Sequence, residues 1–77
     1  MIAKMLGKRL KAFRTEQKLN QTTLAKRVGV TQPYIVALEK GRENPTLSTL
    51  AKLAKALKVT VAELLKWYGM LQEGRSP

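Results

Sequence analysis

For most of its length the apolar residues of this chain recur every three to four positions, the period of helices that bury one face. Leu6, Leu10 and Phe13 keep that spacing while Lys4, Lys8, Lys11 and Lys18 fall on other faces, which predicts a first helix from Ile2 to Lys18. Asn20 is placed to cap a second helix over Gln21 to Val28. Thr31 can cap a third, with Pro33 in the first turn, where a missing N–H costs little. This third helix should end near Lys40, with Gly41 as its stop. Asn44-Pro45 marks a turn, Thr46 a further cap, and Leu47 to Leu57 a fourth helix. Thr60 and Glu63 form a Thr-x-x-Glu capping box opening a fifth helix, Val61 to Tyr68. The expectation is an all-α, five-helix fold: one domain over residues 1–71, followed by a frayed tail over 72–77.

Within this pattern, Gln21 to Gly41 has a particular spacing. Ala25, Gly29, Ile35 and Leu38 fall where a helix-turn-helix needs a small residue at the crossing, a left-handed residue in the turn and two inward apolar positions. Leu24, Val28 and Val30 complete the apolar faces that clamp the pair. An ordinary helical hairpin in a small bundle is the plainer alternative. One core can serve all five helices, built from Leu6, Leu10, Phe13, Leu19, Leu24, Val28, Ile35, Leu38, Leu50, Leu53, Ala54, Leu57, Val59, Val61 and Leu64.

Composition narrows what such a domain can do. The 77 residues suffice for one small core. Fifteen Lys and Arg against five Glu leave a formal charge of +10, a field that attracts polyanions, whether nucleic acid or an anionic membrane surface. There is no His, Cys or Asp, so general acid–base pairs, activated nucleophiles and zinc sites lack their usual components. No glycine-rich phosphate loop occurs; the glycines sit at helix boundaries or in the tail, apart from Gly7. No enzyme activity, cofactor or metal is therefore expected. Without Cys the redox compartment stays open. No apolar run approaches the ~20 residues that cross a membrane, and MIAKMLGKRL lacks a signal peptide's apolar block, so a cytoplasmic, nucleoid-associated protein is expected.

The segments LGKRLKAFR, LNQTTLAKRVGVTQPYIVALEKGRENPTLSTLAKLAKAL and KVTVAELL resemble the Cro/C1-type, or XRE-type, helix-turn-helix domain of phage repressors over about Leu6 to Leu65. That resemblance implies a five-helix, lambda-repressor-like domain that binds double-stranded operator DNA, usually as a two-fold dimer. It implies that Gln21 bonds a backbone phosphate, a placement that the N–H groups and dipole of a helix N-terminus favour in any case. It implies an ion pair between Arg14 and Glu39 that joins the first helix to the recognition helix, and phosphate contacts from Lys40, Arg42 and Asn44 in the following loop. Asn20 and Thr31, at the two caps, fall among the expected phosphate contacts. Plain surface charges or helix-start polar residues are the alternative at each of these positions.

The recognition helix departs from the better-read repressors. Ile35 and Leu38 turn inward, so the exposed, base-reading positions should be Gln32, Pro33, Val36 and Ala37. Only Gln32 suits bidentate readout, with adenine N6 and N7 as its natural partners; the others can touch thymine methyl groups. Tyr34 either sends its hydroxyl to a phosphate or covers the helix flank. Base discrimination should be modest, about 1–3 kcal/mol for one bidentate contact, with DNA shape and phosphates supplying the balance. The alternative is that this face is apolar because it contacts protein.

Leu65, Trp67, Tyr68, Met70 and Leu71 form an apolar cluster left over by the core, which suggests a homodimer interface; Trp67 and Tyr68 could instead fold back onto the first helix. The leading function is a transcriptional regulator, in the first place a repressor. An antitoxin would add a toxin partner, for which the tail is short, and a protein–protein adaptor would keep the fold without DNA. A membrane-surface peptide fits least, because every apolar face has a use in the core.

Overall fold

The computed structural model describes residues 2–65. They form α1 (Ile2–Glu16), α2 (Gln21–Val28), α3 (Gln32–Glu39), α4 (Leu47–Ala56) and α5 (Val61–Leu64), with no strand among the described residues. The caps lie on the expected side chains. Asn20, Thr31, Thr46 and Thr60 each accept a backbone N–H from three residues on, and Glu63 returns the bond to the Thr60 N–H at 2.9 Å.

Helix ends depart from the sequence expectation, for a common reason. α1 stops at Glu16 rather than Lys18 because Lys18 takes φ 59°. The Leu19 N–H then bonds the Arg14 carbonyl and the Lys18 N–H bonds the Thr15 carbonyl, a Schellman closure. The same pair of bonds closes α4 one residue early, with Lys58 at φ 59°, Val59 bonded to Ala54 and Lys58 to Lys55. Gly41 plays this part after α3 at φ 74°, and Gly29 supplies the left-handed residue after α2 at φ 86°. α5 is described only as far as its cap, Leu65; the rest of the expected helix, to Tyr68, lies outside the described residues.

The core gathers Leu6, Leu10, Leu24, Ala25, Val28, Ile35, Leu38, Leu53, Ala54, Leu57 and Leu64. Phe13, Leu19, Leu50, Val59 and Val61, expected inside, are half-buried at its margin, as are Val30 and Tyr34. Three further contacts set the frame around the helix pair. Gly7 of α1 crosses the end of α3 so closely that a Cβ there would lie 2.5 Å from the Leu38 carbonyl oxygen and 2.7 Å from that of Glu39. Gln17 Nε2 donates to the Leu57 carbonyl at 2.6 Å, tying the end of α1 to the end of α4. Arg9 lies over the Phe13 ring, 4.7 Å from its centroid, and its Nε donates to the Glu63 carbonyl at 3.3 Å. No helix among the described residues is long and apolar enough to cross a membrane.

Candidate nucleic-acid interface

The packing that holds α3 also decides which of its residues are available. Ile35 and Leu38 are buried, so the opposite side of the helix faces out. Gln32 and Pro33 are exposed in its first turn, and Val36 and Ala37 are partly exposed farther along. Tyr34 is half-buried against the core margin, which places its ring on the helix flank.

The residues at the starts of α2 and α3 use their oxygens locally and keep hydrogen-bond donors. Asn20 Oδ1 accepts from the Thr23 N–H at 2.7 Å, leaving the amide N–H₂. Thr31 Oγ1 accepts from the Tyr34 N–H at 3.3 Å, leaving a hydroxyl proton. Gln21 Nε2 donates one proton to Glu39 Oε1 at 3.1 Å and keeps the other. Its Oε1 accepts from Gln32 Nε2 at 3.2 Å. A surface lined with unspent donors, beside positive helix ends, is chemically suited to an anion. Lys40, Arg42 and Asn44 are all exposed in the loop that follows α3, on the same segment as its C-terminal end.

Behind this surface, Arg14 and Glu39 form a fork. Arg14 Nε and Nη2 donate to the two Glu39 oxygens at 2.5 and 3.0 Å, and Nη1 donates to the Leu19 carbonyl at 2.8 Å. Their side chains are only 10% and 4% exposed, and no buried side-chain polar atom among the described residues lacks a partner. One arginine thereby joins α1, the turn before α2 and the end of α3. The links Gln21–Glu39 and Gln21–Gln32 were not foreseen from sequence, because each spans separate helices. Gly7, Gln17 and Arg9 were likewise unassigned. Only Gly7 left a signal, as a lone glycine inside a helical period.

Of the residues expected at a dimer contact, Leu65 is half-buried and packs against the core beside a shallow apolar groove lined by Ala3, Leu6, Asn44, Pro45 and Leu50. Trp67, Tyr68, Met70 and Leu71 lie outside the described residues. No group of acidic residues able to hold a metal ion occurs among the described residues.

Two capped helices clamped at one angle, with the outer face of the second left open beside a row of donors, define a helix-turn-helix domain. The chain belongs to the helix-turn-helix family HTH_3, which matches residues 10–64. It is similar to the immunity repressor protein of Bacillus phage phi105, 37% identical over 68 residues that make 88% of this chain and 47% of the phage protein. The chain thus spans less than half the length of that relative. Among solved structures it is similar to the restriction-modification controller protein C.AhdI from Aeromonas hydrophila, with a TM-score of 0.79 and 37% identity over 80% of this chain and 94% of that one. It is also similar to the P22 c2 repressor protein in complex with synthetic operator 9T, with a TM-score of 0.75 and 36% identity over 79% of this chain and 92% of that one.

Proposed function

We propose that this chain is a DNA-binding transcriptional regulator that acts as a repressor, with α3 lying in the major groove of double-stranded DNA. The observation that carries this reading is the exposed first turn of α3, where Gln32 stands among the unspent donors of Asn20, Gln21 and Thr31. Those donors, with Lys40, Arg42 and Asn44 in the next loop, take phosphate oxygens and set the register of the helix. Gln32 then faces base edges, with adenine as its partner, and Pro33, Val36 and Ala37 meet thymine methyl groups. Similarity to proteins named as an immunity repressor and as a repressor in complex with an operator supports the same role.

A symmetric pair of chains would set two copies of α3 about 34 Å apart, one turn of DNA. We assign that pairing to the apolar residues Leu65, Trp67, Tyr68, Met70 and Leu71.

The test is selection of duplexes bound by the chain from a random pool, followed by titration. Enriched sequences should be two-fold symmetric, with half-sites about 10 base pairs apart centre to centre. Arg42→Ala should weaken every duplex to the same extent, since a phosphate contact carries no sequence information. Failure to retain any duplex at low salt would overturn the regulator reading and leave the open face of α3 as a protein contact.

A further inference from the structure

We propose that Lys18 and Lys58 form a paired phosphate clamp that carries the DNA-binding surface past the start of α2. The inference rests on the DNA-binding reading above and starts from two places where the backbone disagrees with the residue that occupies it.

Lys18 and Lys58 are the two residues other than glycine that take positive φ among the described residues, both at 59°. In that conformation Cβ crowds the following carbonyl oxygen, a penalty that glycine escapes. Lysine also lacks the short polar side chain with which asparagine or aspartate offsets it by a local hydrogen bond. Each lysine closes a helix, α1 or α4, in a turn that glycine would close with less strain, as Gly41 does after α3. The same disagreement in two turns points to one common use for the two side chains.

The two turns are also neighbours in space. Gln17 Nε2 donates to the Leu57 carbonyl at 2.6 Å, and each partner in that bond directly precedes one of the lysines. Lys18 and Lys58 are both exposed, and neither has a carboxylate at ion-pair distance among the described residues. Their ammonium groups thus place two unneutralised positive charges at one corner of the molecule. Lys18 stands two residues before Asn20, so their Cα atoms are no more than about 7.6 Å apart. A phosphate strand seated at Asn20 and Gln21 has its next phosphate on the α1 side. Lys18, with Lys58 beside it, supplies that phosphate with partners.

A cation near a helix C-terminus also favours the dipole there, so support of the two helix ends alone is the competing explanation. The two explanations differ in sign. With the clamp, glycine at both positions gives a more stable protein that binds DNA more weakly. With helix-end support alone, glycine gives a less stable protein that binds as before.

The full chain and its double variant Lys18→Gly/Lys58→Gly are compared by thermal scan and by titration with the selected duplex at several salt concentrations. The variant should melt higher and bind every duplex about tenfold or more weakly at about 0.1 M salt. Its slope of log affinity against log salt should be shallower by about 2. Lys18→Arg/Lys58→Arg, which keeps both charges, should keep the natural slope. Lys26→Ala/Lys52→Ala, which removes two exposed charges from other positions, should leave the slope nearly unchanged. In the natural chain, bound duplex should slow acetylation of the Lys18 and Lys58 amines, read by mass spectrometry, and leave Lys52 unaffected.

A double glycine variant that binds with the natural affinity and slope overturns the clamp and leaves the regulator reading in place. Undiminished acetylation of both lysines in the complex does the same. A natural chain that retains no duplex at low salt overturns the regulator reading, and the clamp with it.

Discussion

At the scale of single residues, Gly7 has the sharpest consequence. A glycine inside an exposed helix normally costs about 0.5–1 kcal/mol relative to alanine, so Gly→Ala there stabilises. Here the added methyl would meet the carbonyl oxygens of Leu38 and Glu39, which belong to a backbone already fixed by buried Ile35 and Leu38. Gly7→Ala should therefore reverse the usual sign and destabilise by about 1–3 kcal/mol, as overpacking does. Urea unfolding followed by circular dichroism measures it, and a stabilised variant would show that α1 can move away from α3. The same crossing sets where Glu39 lies, so the shift should also lengthen the Arg14–Glu39 contacts. Periodicity marked Gly7 as out of place in a helix; it could not say which element approached it, because that neighbour is 31 or more residues away.

At the scale of elements, the helix starts were legible and the ends less so. A start is signalled by one side chain bonding a nearby N–H, as Asn20, Thr31, Thr46 and Thr60 do. An end depends on one residue taking a left-handed conformation, and at two ends that residue is lysine. Lys18 and Lys58 carry a backbone cost of about 1–2 kcal/mol that glycine would not. Part of that gain is cancelled by the greater freedom of glycine in the unfolded chain. Lys18→Gly and Lys58→Gly should each stabilise by about 0.5–1 kcal/mol and raise the melting temperature by about 2–8 °C. Thermal scans of the single and double variants check this, and any departure from additive gains reports coupling through the Gln17–Leu57 bond that joins the two turns. A fall in melting temperature would mean that these lysine side chains hold contacts worth more than the strain.

At the scale of the whole molecule, charge and shape act together. A formal charge of +10 draws in any polyanion, and in the proposed complex the row of donors around α2, α3 and the following loop gives phosphates a fixed place. If six to ten phosphates are contacted, the logarithm of affinity should fall against the logarithm of salt with a slope of about −5 to −9. Titrations at several salt concentrations measure the slope, and Arg42→Ala should make it shallower by about 1. A slope near zero would mean that binding does not run through the phosphates. Not every basic residue belongs to that count. Arg14 is spent on Glu39 and Leu19, and Arg9 on Phe13 and Glu63, so both serve the fold.

The chain by itself determined the five helices, their caps, the apolar positions that meet in the core, and the outward placement of Gln32 and Pro33. Each of these follows from interactions within a few residues, or from a period that one helix imposes on its own sequence. Tertiary structure alone decided that Gly7 is the contact between α1 and α3, that Gln17 joins α1 to α4, and that Gln21 stands between Glu39 and Gln32. These depend on distances between elements far apart in sequence, and no local preference encodes such distances. Spacing pointed to Gln32 as the base-reading side chain, but its bond to Gln21, and through Gln21 to Glu39 and Arg14, links three helices and could not be read from spacing.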